Sequence, residues 1–334
     1  MRTSLSILTL VCTPILATAC GGDDINSLTI YSGRDEELVG PLLEQFTEQT
    51  GIKIEVAYDS STETALKLAE EGDKSPADIF LSQAPGPLGF LDNQHRFTKL
   101  PSELLDQVAP EFRAADGEWI GVSGRVRVLA YNPEVVNPAE LPASILDLVK
   151  PEYAGRVGLT PTNASFQDFI SFMRAELGDD DTRQFLEGLA ANGARTYSGN
   201  SGVVEAIDRG EIDFGLVNHY YVYELGAQNP NLSVANHFFP DSDVGSLVMV
   251  SGVAVLDTAD DQELAQQFVE FLLSAGAQQY LADTTYELPL AGGIAPPADL
   301  PSVTELGGAT ADFERLGESF STTQQLIEEA GLTI

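Results

Sequence analysis

Two successive runs of alternating strand and helix signals constrain what this chain can fold into. The first opens with Ser27–Ser32 (SLTIYS), an apolar strand, after which Leu38, Val39, Leu42, Leu43 and Phe46 recur at helical spacing until Gly51. Ile52, Ile54 and Val56 alternate as a second strand, Ala65, Leu66, Leu68 and Ala69 mark a second helix, and Ala77–Leu81 forms a third strand. Strand-helix-strand-helix-strand predicts a parallel sheet with helices on its faces. The rhythm restarts at Arg156–Leu159, with helices around Phe166–Met173, Phe185–Leu189 and Val203–Ile207 and strands at Ala194–Tyr197 and Ile212–Val217. Two β-branched segments, Val126–Tyr131 and Val244–Val255, fit neither run and lie where a chain passing between two lobes would cross. A late helix is expected around Leu264–Leu272 and a closing one over Ser321–Ala330, stopped by Gly331.

The amino terminus reads as an export signal. Arg2 precedes an apolar stretch, Leu5–Leu16, too short for a bilayer that needs roughly 20 residues. Leu16-Ala17-Thr18-Ala19-Cys20 then resembles a lipoprotein cleavage site, which predicts a signal peptide over 1–19, lipidation of Cys20 and a flexible tether over 20–26. The expected location is the periplasm or cell surface, with membrane attachment only through that lipid. The only cysteines are Cys12 and Cys20, so no disulfide or thiolate metal site is available to the body, and packing must supply its stability. Roughly 310 remaining residues exceed the usual size of one core, in agreement with two lobes. Fifty-one acidic residues against seventeen basic ones give a net charge of −34, which repels phosphate backbones and excludes a nucleic-acid partner.

In open α/β sheets, ligands sit beyond the carboxyl ends of the strands, where helix N-termini present free N–H groups. Here those loops are polar: Ser32-Gly33-Arg34-Asp35-Glu36, Ser82-Gln83-Ala84-Pro85, Pro161-Thr162-Asn163-Ala164-Ser165, Ser198-Gly199-Asn200-Ser201-Gly202 and Asn218-His219-Tyr220-Tyr221. Thr162–Ser165 suits an anion, with Ser165 expected to cap the helix and Asp168 to complete a capping box. Tyr220 and Tyr221 offer phenolate, a hard oxygen donor matched to Fe3+; the metal must displace a proton whose free pKa is about 10. The three histidines, His95, His219 and His237, are too scattered to form a zinc or copper site.

Ser75–Phe80 (SPADIF), Ser123–Val128 (SGRVRV), Asn218–Tyr221 (NHYY) and Tyr286–Leu290 (YELPL) together resemble, in order and across nearly the whole body, the bacterial ferric-ion-binding proteins. The resemblance implies the two-lobed periplasmic-binding-protein fold: α/β, each lobe a mainly parallel sheet flanked by helices, the two joined by crossing hinge strands. It places 27–124 and 253–300 in the first lobe and 125–252 and 301–334 in the second. It also implies a monomer that binds Fe3+ with carbonate or phosphate as a synergistic anion and passes the ion to the permease of an ABC transporter. Tyr220 and Tyr221 match the paired phenolate ligands; Asn200, Asn218 and Thr162, Asn163, Ala164 and Ser165 match anion-holding positions, and Arg125 an arginine that pairs with carbonate. The chain departs from the pattern where it carries Asp35 and Glu36, acids at positions that are His or Tyr in some members. It also has Gln83 for a ligand Glu and Asn163 for a third Tyr in a subgroup. Asp35 and Glu36 are therefore the expected compensating carboxylates. The alternative on the same scaffold is a receptor for a small oxyanion or organic solute such as a phosphonate. An enzyme is not expected, since no G-x-S-x-G, Walker or HExxH pattern occurs.

Overall fold

The computed structural model describes residues 26–240, 243–297, 300–306 and 322–333. The expected signal peptide, the lipidated Cys20 and nearly all of the tether lie outside the described residues. The first run folds as anticipated, with β1 (Ser27–Ser32), α1 (Glu36–Thr50), β2 (Lys53–Tyr58), α2 (Ser61–Glu71) and β3 (Ile79–Ser82) in order, and a further helix, α3 (Pro85–Asp92), follows that the sequence reading did not expect. α4 (Ser102–Leu105) is a single turn ahead of the long strand β4 (Trp119–Tyr131). α1 buries Val39, Leu42, Leu43 and Phe46, and Gly51 ends it in the left-handed region at φ 74°. α3 has no helical periodicity to betray it; Pro85 at its first turn is the local signal that starts it.

The second run supplies β5 (Val157–Leu159), α5 (Ala164–Leu177), α6 (Asp179–Ala191), β6 (Arg195–Thr196), α7 (Asn200–Asp208), β7 (Phe214–Asn218), α8 (Tyr220–Gln228) and β8 (Ala235–His237). The chain then returns through β9 (Val248–Val255), α9 (Gln262–Leu273), α10 (Ala275–Thr284) and β10 (Leu288–Pro289). Phe46 of α1 meets Phe268 of α9 edge to face at 5.2 Å, both rings fully buried. Each such ring contributes on the order of 2–3 kcal/mol by leaving water.

Two sheets result. In the first, β1 lies parallel between β2 and β3, and β9 runs antiparallel between β3 and β4, with β10 also paired to β4. In the second, β5 lies parallel to β6 and β7, while β7 and β8 pair antiparallel with the distal half of β4. β4 is the strand shared by both. Up to Val126 it faces β9, and from Arg127, opposite Asn218, it faces β7. β9 enters the first sheet from the second lobe through the turn Val244–Ser246. A final helix over 322–329 packs on α5, where Thr323 bonds Ser171 at 2.7 Å and accepts from Arg174 at 2.8 Å.

His219 bolts the crossing point. Its Nδ1 accepts from the Val126 backbone N–H at 3.1 Å, and its Nε2–H donates to the Tyr286 carbonyl at 2.8 Å, so one imidazole ties the β4 crossover to the approach of β10. Burial pushes its pKa down to about 4, which keeps it neutral, and both ring nitrogens are engaged. A metal-ligand role for His219 is thereby closed off despite its place beside the tyrosine pair.

Candidate metal and anion cleft

The carboxyl ends of the parallel strands of both lobes open onto one cleft of about 1190 Å³. On the first-lobe side, the loops after β1, β2 and β3 are stitched together by Ser61. Its hydroxyl donates to the Gly33 carbonyl at 3.1 Å and accepts from the Gln83 backbone N–H at 2.9 Å. This approach requires glycine at 33, where a Cβ would fall 2.1 Å from the Ser61 hydroxyl. The stitching presents Asp35, Glu36 and Gln83 to the cleft. Asp35 stands at the N-cap position of α1, but its carboxylate makes no capping bond. The Gln83 side-chain oxygen is buried without a hydrogen-bond partner among the described residues.

On the second-lobe side, the β5–α5 loop brings Thr162, Asn163, Ala164 and Ser165 to the cleft wall. The helix cap differs from expectation. Asn163 is the N-cap, its side-chain oxygen accepting from the Ser165 N–H at 3.1 Å and from the Ser165 hydroxyl at 2.6 Å. Asn and Ser are equally good caps, so a sequence reading TNAS leaves the frame open by two residues. Asp168 is therefore no capping-box partner. It is buried to 1% exposure beside lobe one, and a Cβ on Gly86 of α3 would sit 3.0 Å from its carboxylate. Burial pushes its pKa up to about 7 against the pull of Arg125, and one of its oxygens has no partner among the described residues.

Tyr220 and Tyr221, in the first turn of α8, both line the cleft, with ring centroids 4.4 Å apart and planes inclined by 34°. Tyr220 is only 5% exposed; burial and the neighbouring Tyr221 raise its pKa well above that of a free phenol. Only a cation held in the cleft can make it a phenolate at neutral pH. Behind the pair, Asn218 accepts from the Arg127 guanidinium at 3.1 Å and donates to the Ser165 hydroxyl at 3.2 Å, joining the tyrosine loop to the anion loop.

Arg34, Arg125 and Arg127 are all at least 98% buried, a concentration of positive charge under the cleft in an otherwise acidic protein. Arg34 is neutralised by Glu287 at 2.5 Å. Arg127 donates to Asn218, and burial followed by repulsion from Arg125 lowers its pKa to about 9. Arg125 lines the cleft and donates to the Gln83 carbonyl across from the second lobe; among the described residues its Nε and Nη2 groups find no partner. Two spare charged donors are what an oxyanion accepts from.

The sequence pattern of the bacterial extracellular solute-binding proteins matches residues 74–307. This chain belongs to that family. Within it, the chain falls among the ferric-ion-binding proteins. It is 33% identical over 309 residues to the Fe(3+)-binding periplasmic protein of Serratia marcescens, covering 91% of this chain and 90% of that one. The iron-bound HitA structure from Pseudomonas aeruginosa superposes with a TM-score of 0.85 at 33% identity, covering 92% of this chain and 99% of HitA. A Trichodesmium relative in complex with iron and citrate gives a TM-score of 0.79 at 25% identity, over 92% and 100% of the two chains. The family's two-lobed fold, with hinge strands crossing between the lobes, is the architecture described above.

Of the residues singled out by sequence, Tyr220, Tyr221, Asp35, Glu36, Arg125, Thr162, Asn163, Ala164, Ser165 and Asn218 all line this family member's cleft. Asn200 does not: it is 2% exposed behind the wall, accepting from Thr160 at 3.4 Å, while its neighbours Ser198 and Ser201 reach the cleft. Cys20 lies outside the described residues. Sequence reasoning missed Glu224, a cleft-lining residue on α8, whose pKa is raised to about 7 by burial, then by Glu287 and Asp35. Its spacing of four residues from Tyr220 was the available signal.

Proposed function

We propose that this chain captures Fe3+ between its lobes together with an oxyanion and hands the ion to the permease of an ABC importer. The observation that carries the proposal is the pairing of Tyr220 and Tyr221, side by side at the cleft, with the two unpartnered donors of Arg125 in the same cavity. Two phenolates supply hard, negatively charged oxygen to a trivalent ion, and the arginine favours an anion that fills the remaining coordination positions. Asp35 and Glu36 approach from the first lobe, so the ion draws the lobes together by binding both. Carbonate or phosphate fits Arg125 and the start of α5; since a Trichodesmium relative was solved in complex with iron and citrate, citrate is a third oxyanion to test. Thr162, Asn163, Ala164, Ser165 and Asn218 form the anion wall, with Asn200 bracing it from behind.

In this reading residues 27–124 and 253–300 make the first lobe and 125–252 and 301–334 the second. The chain is a monomer held at the periplasmic or outer surface of a membrane by a lipid on Cys20. It binds and releases its cargo without turnover. The test is the visible spectrum of the ferric-loaded protein. A tyrosinate-to-iron charge-transfer band is expected in the wild type, absent in the Tyr220→Phe/Tyr221→Phe double variant. An unchanged spectrum in that variant refutes the ligand assignment.

A further inference from the structure

Tyr220 and Tyr221 supply two negative charges when metallated, one short of a ferric ion, and the carboxylates assigned from sequence sit on the opposite lobe. Among the described cleft-lining residues on the tyrosines' side, Glu224 is the one acid; Asp35, Glu36, Glu37, Asp59 and Glu63 all belong to the first-lobe loops and the first turns of α1 and α2. Glu224 lies three and four residues beyond the tyrosines on the nine-residue helix α8, the spacings at which side chains share a helix face. It is partly buried and makes no hydrogen bond or ion pair with any described residue. The charges that act on it, Glu287 and Asp35, are both negative. A carboxylate withdrawn from water, facing like charges and lacking a cation, is an unfavourable arrangement unless a cation enters beside it.

We propose that Glu224 is a cargo ligand, completing with Tyr220 and Tyr221 a capture site of three oxygen donors on a single helix. This deepens the ferric reading and rests on it. Two phenolates and one carboxylate balance the charge of Fe3+, so the second lobe alone holds the ion before the lobes close. Asp35 then arrives from the first lobe as the closing contact. The site compensates for Gln83 from the other side of the cleft, with the carboxylate moved to the tyrosines' own helix.

The experiment measures ferric affinity of the full chain by competition with citrate, alongside the charge-transfer band, in wild type and Glu224→Gln. The variant is expected to keep a tyrosinate band but to bind more weakly by about tenfold or more, since even residues behind a metal's ligands cost about 10–100-fold. Unchanged affinity and an unchanged band overturn the role of Glu224 while leaving the ferric reading intact; a wild type without any band overturns the ferric reading itself. Should Glu224→Gln fold poorly, Glu224→Asp replaces it, with the ferric-induced rise in Tm as the readout. That rise is expected to be smaller than in wild type, and an equal rise overturns the proposal.

Discussion

Replacing Asp168 with Asn should stabilise the ligand-free protein, and by an amount set by pH. Asp168 is buried to 1% exposure, and burial outweighs Arg125 to bring its pKa from 3.8 to about 7. The folded state thus holds the proton more tightly than the unfolded chain. Above pH 7 the ionised carboxylate costs the folded state its full penalty; as pH falls through 7 the penalty declines, and it is gone near the unfolded value. A difference of about 3 pKa units at about 1.36 kcal/mol each sets a ceiling of about 4 kcal/mol. Asparagine keeps the shape and removes the titration. Urea unfolding of both proteins at pH 9, 7 and 5 should show the variant more stable at pH 9. Its advantage should shrink by up to about 1.4 kcal/mol per pH unit below 7. An advantage that is flat in pH, or a variant less stable than wild type at pH 9, contradicts the burial argument.

Arg125→Ala removes the two unpartnered donors in the cleft, so ferric binding should lose its dependence on added carbonate or phosphate. Isothermal titration with and without each anion reads this, and an undiminished anion effect assigns the anion elsewhere. Gln83→Glu puts a carboxylate where a buried side-chain oxygen now lacks a partner, close to Arg125. It should shift the competition with citrate toward the protein by about tenfold, or about 1.4 kcal/mol; weaker binding would mean that this oxygen faces away from the ion.

The frame of the molecule was legible because hydrophobic periodicity reports directly on burial. The alternation from β1 to β3 and from β5 to β7 follows from apolar residues at strand and helix spacing, and the two segments that broke it became β4 and β9, the strands around the crossover. The cleft was legible for a related reason: α/β topology gathers the carboxyl ends of strands, so polar loops far apart in sequence had to meet. What remained hidden depends on tertiary context. Asp168 and Ser165 have the composition of a capping box, and only the backbone shows that Asn163 takes the cap and frees Asp168 to be buried against Gly86. Glu224 is one of 51 acidic residues, and only its four-residue spacing from Tyr220 separates it from a solvated carboxylate. Arg34 looks like a surface charge in a polar loop, yet the fold turns it inward beside Arg125 and Arg127. His219 adjoins the tyrosines in sequence but points to the crossover, because the residue preceding α8 still bonds to β4.

The central claim is that an iron ion sits between the lobes on the phenol oxygens of α8. Crystals of the ferric-loaded chain, measured on both sides of the iron absorption edge, locate that ion directly. One anomalous peak is expected in the cleft, within bonding distance of the hydroxyl oxygens of Tyr220 and Tyr221 and near Arg125. A peak bound elsewhere, or a cleft occupied by an organic anion without iron, contradicts it.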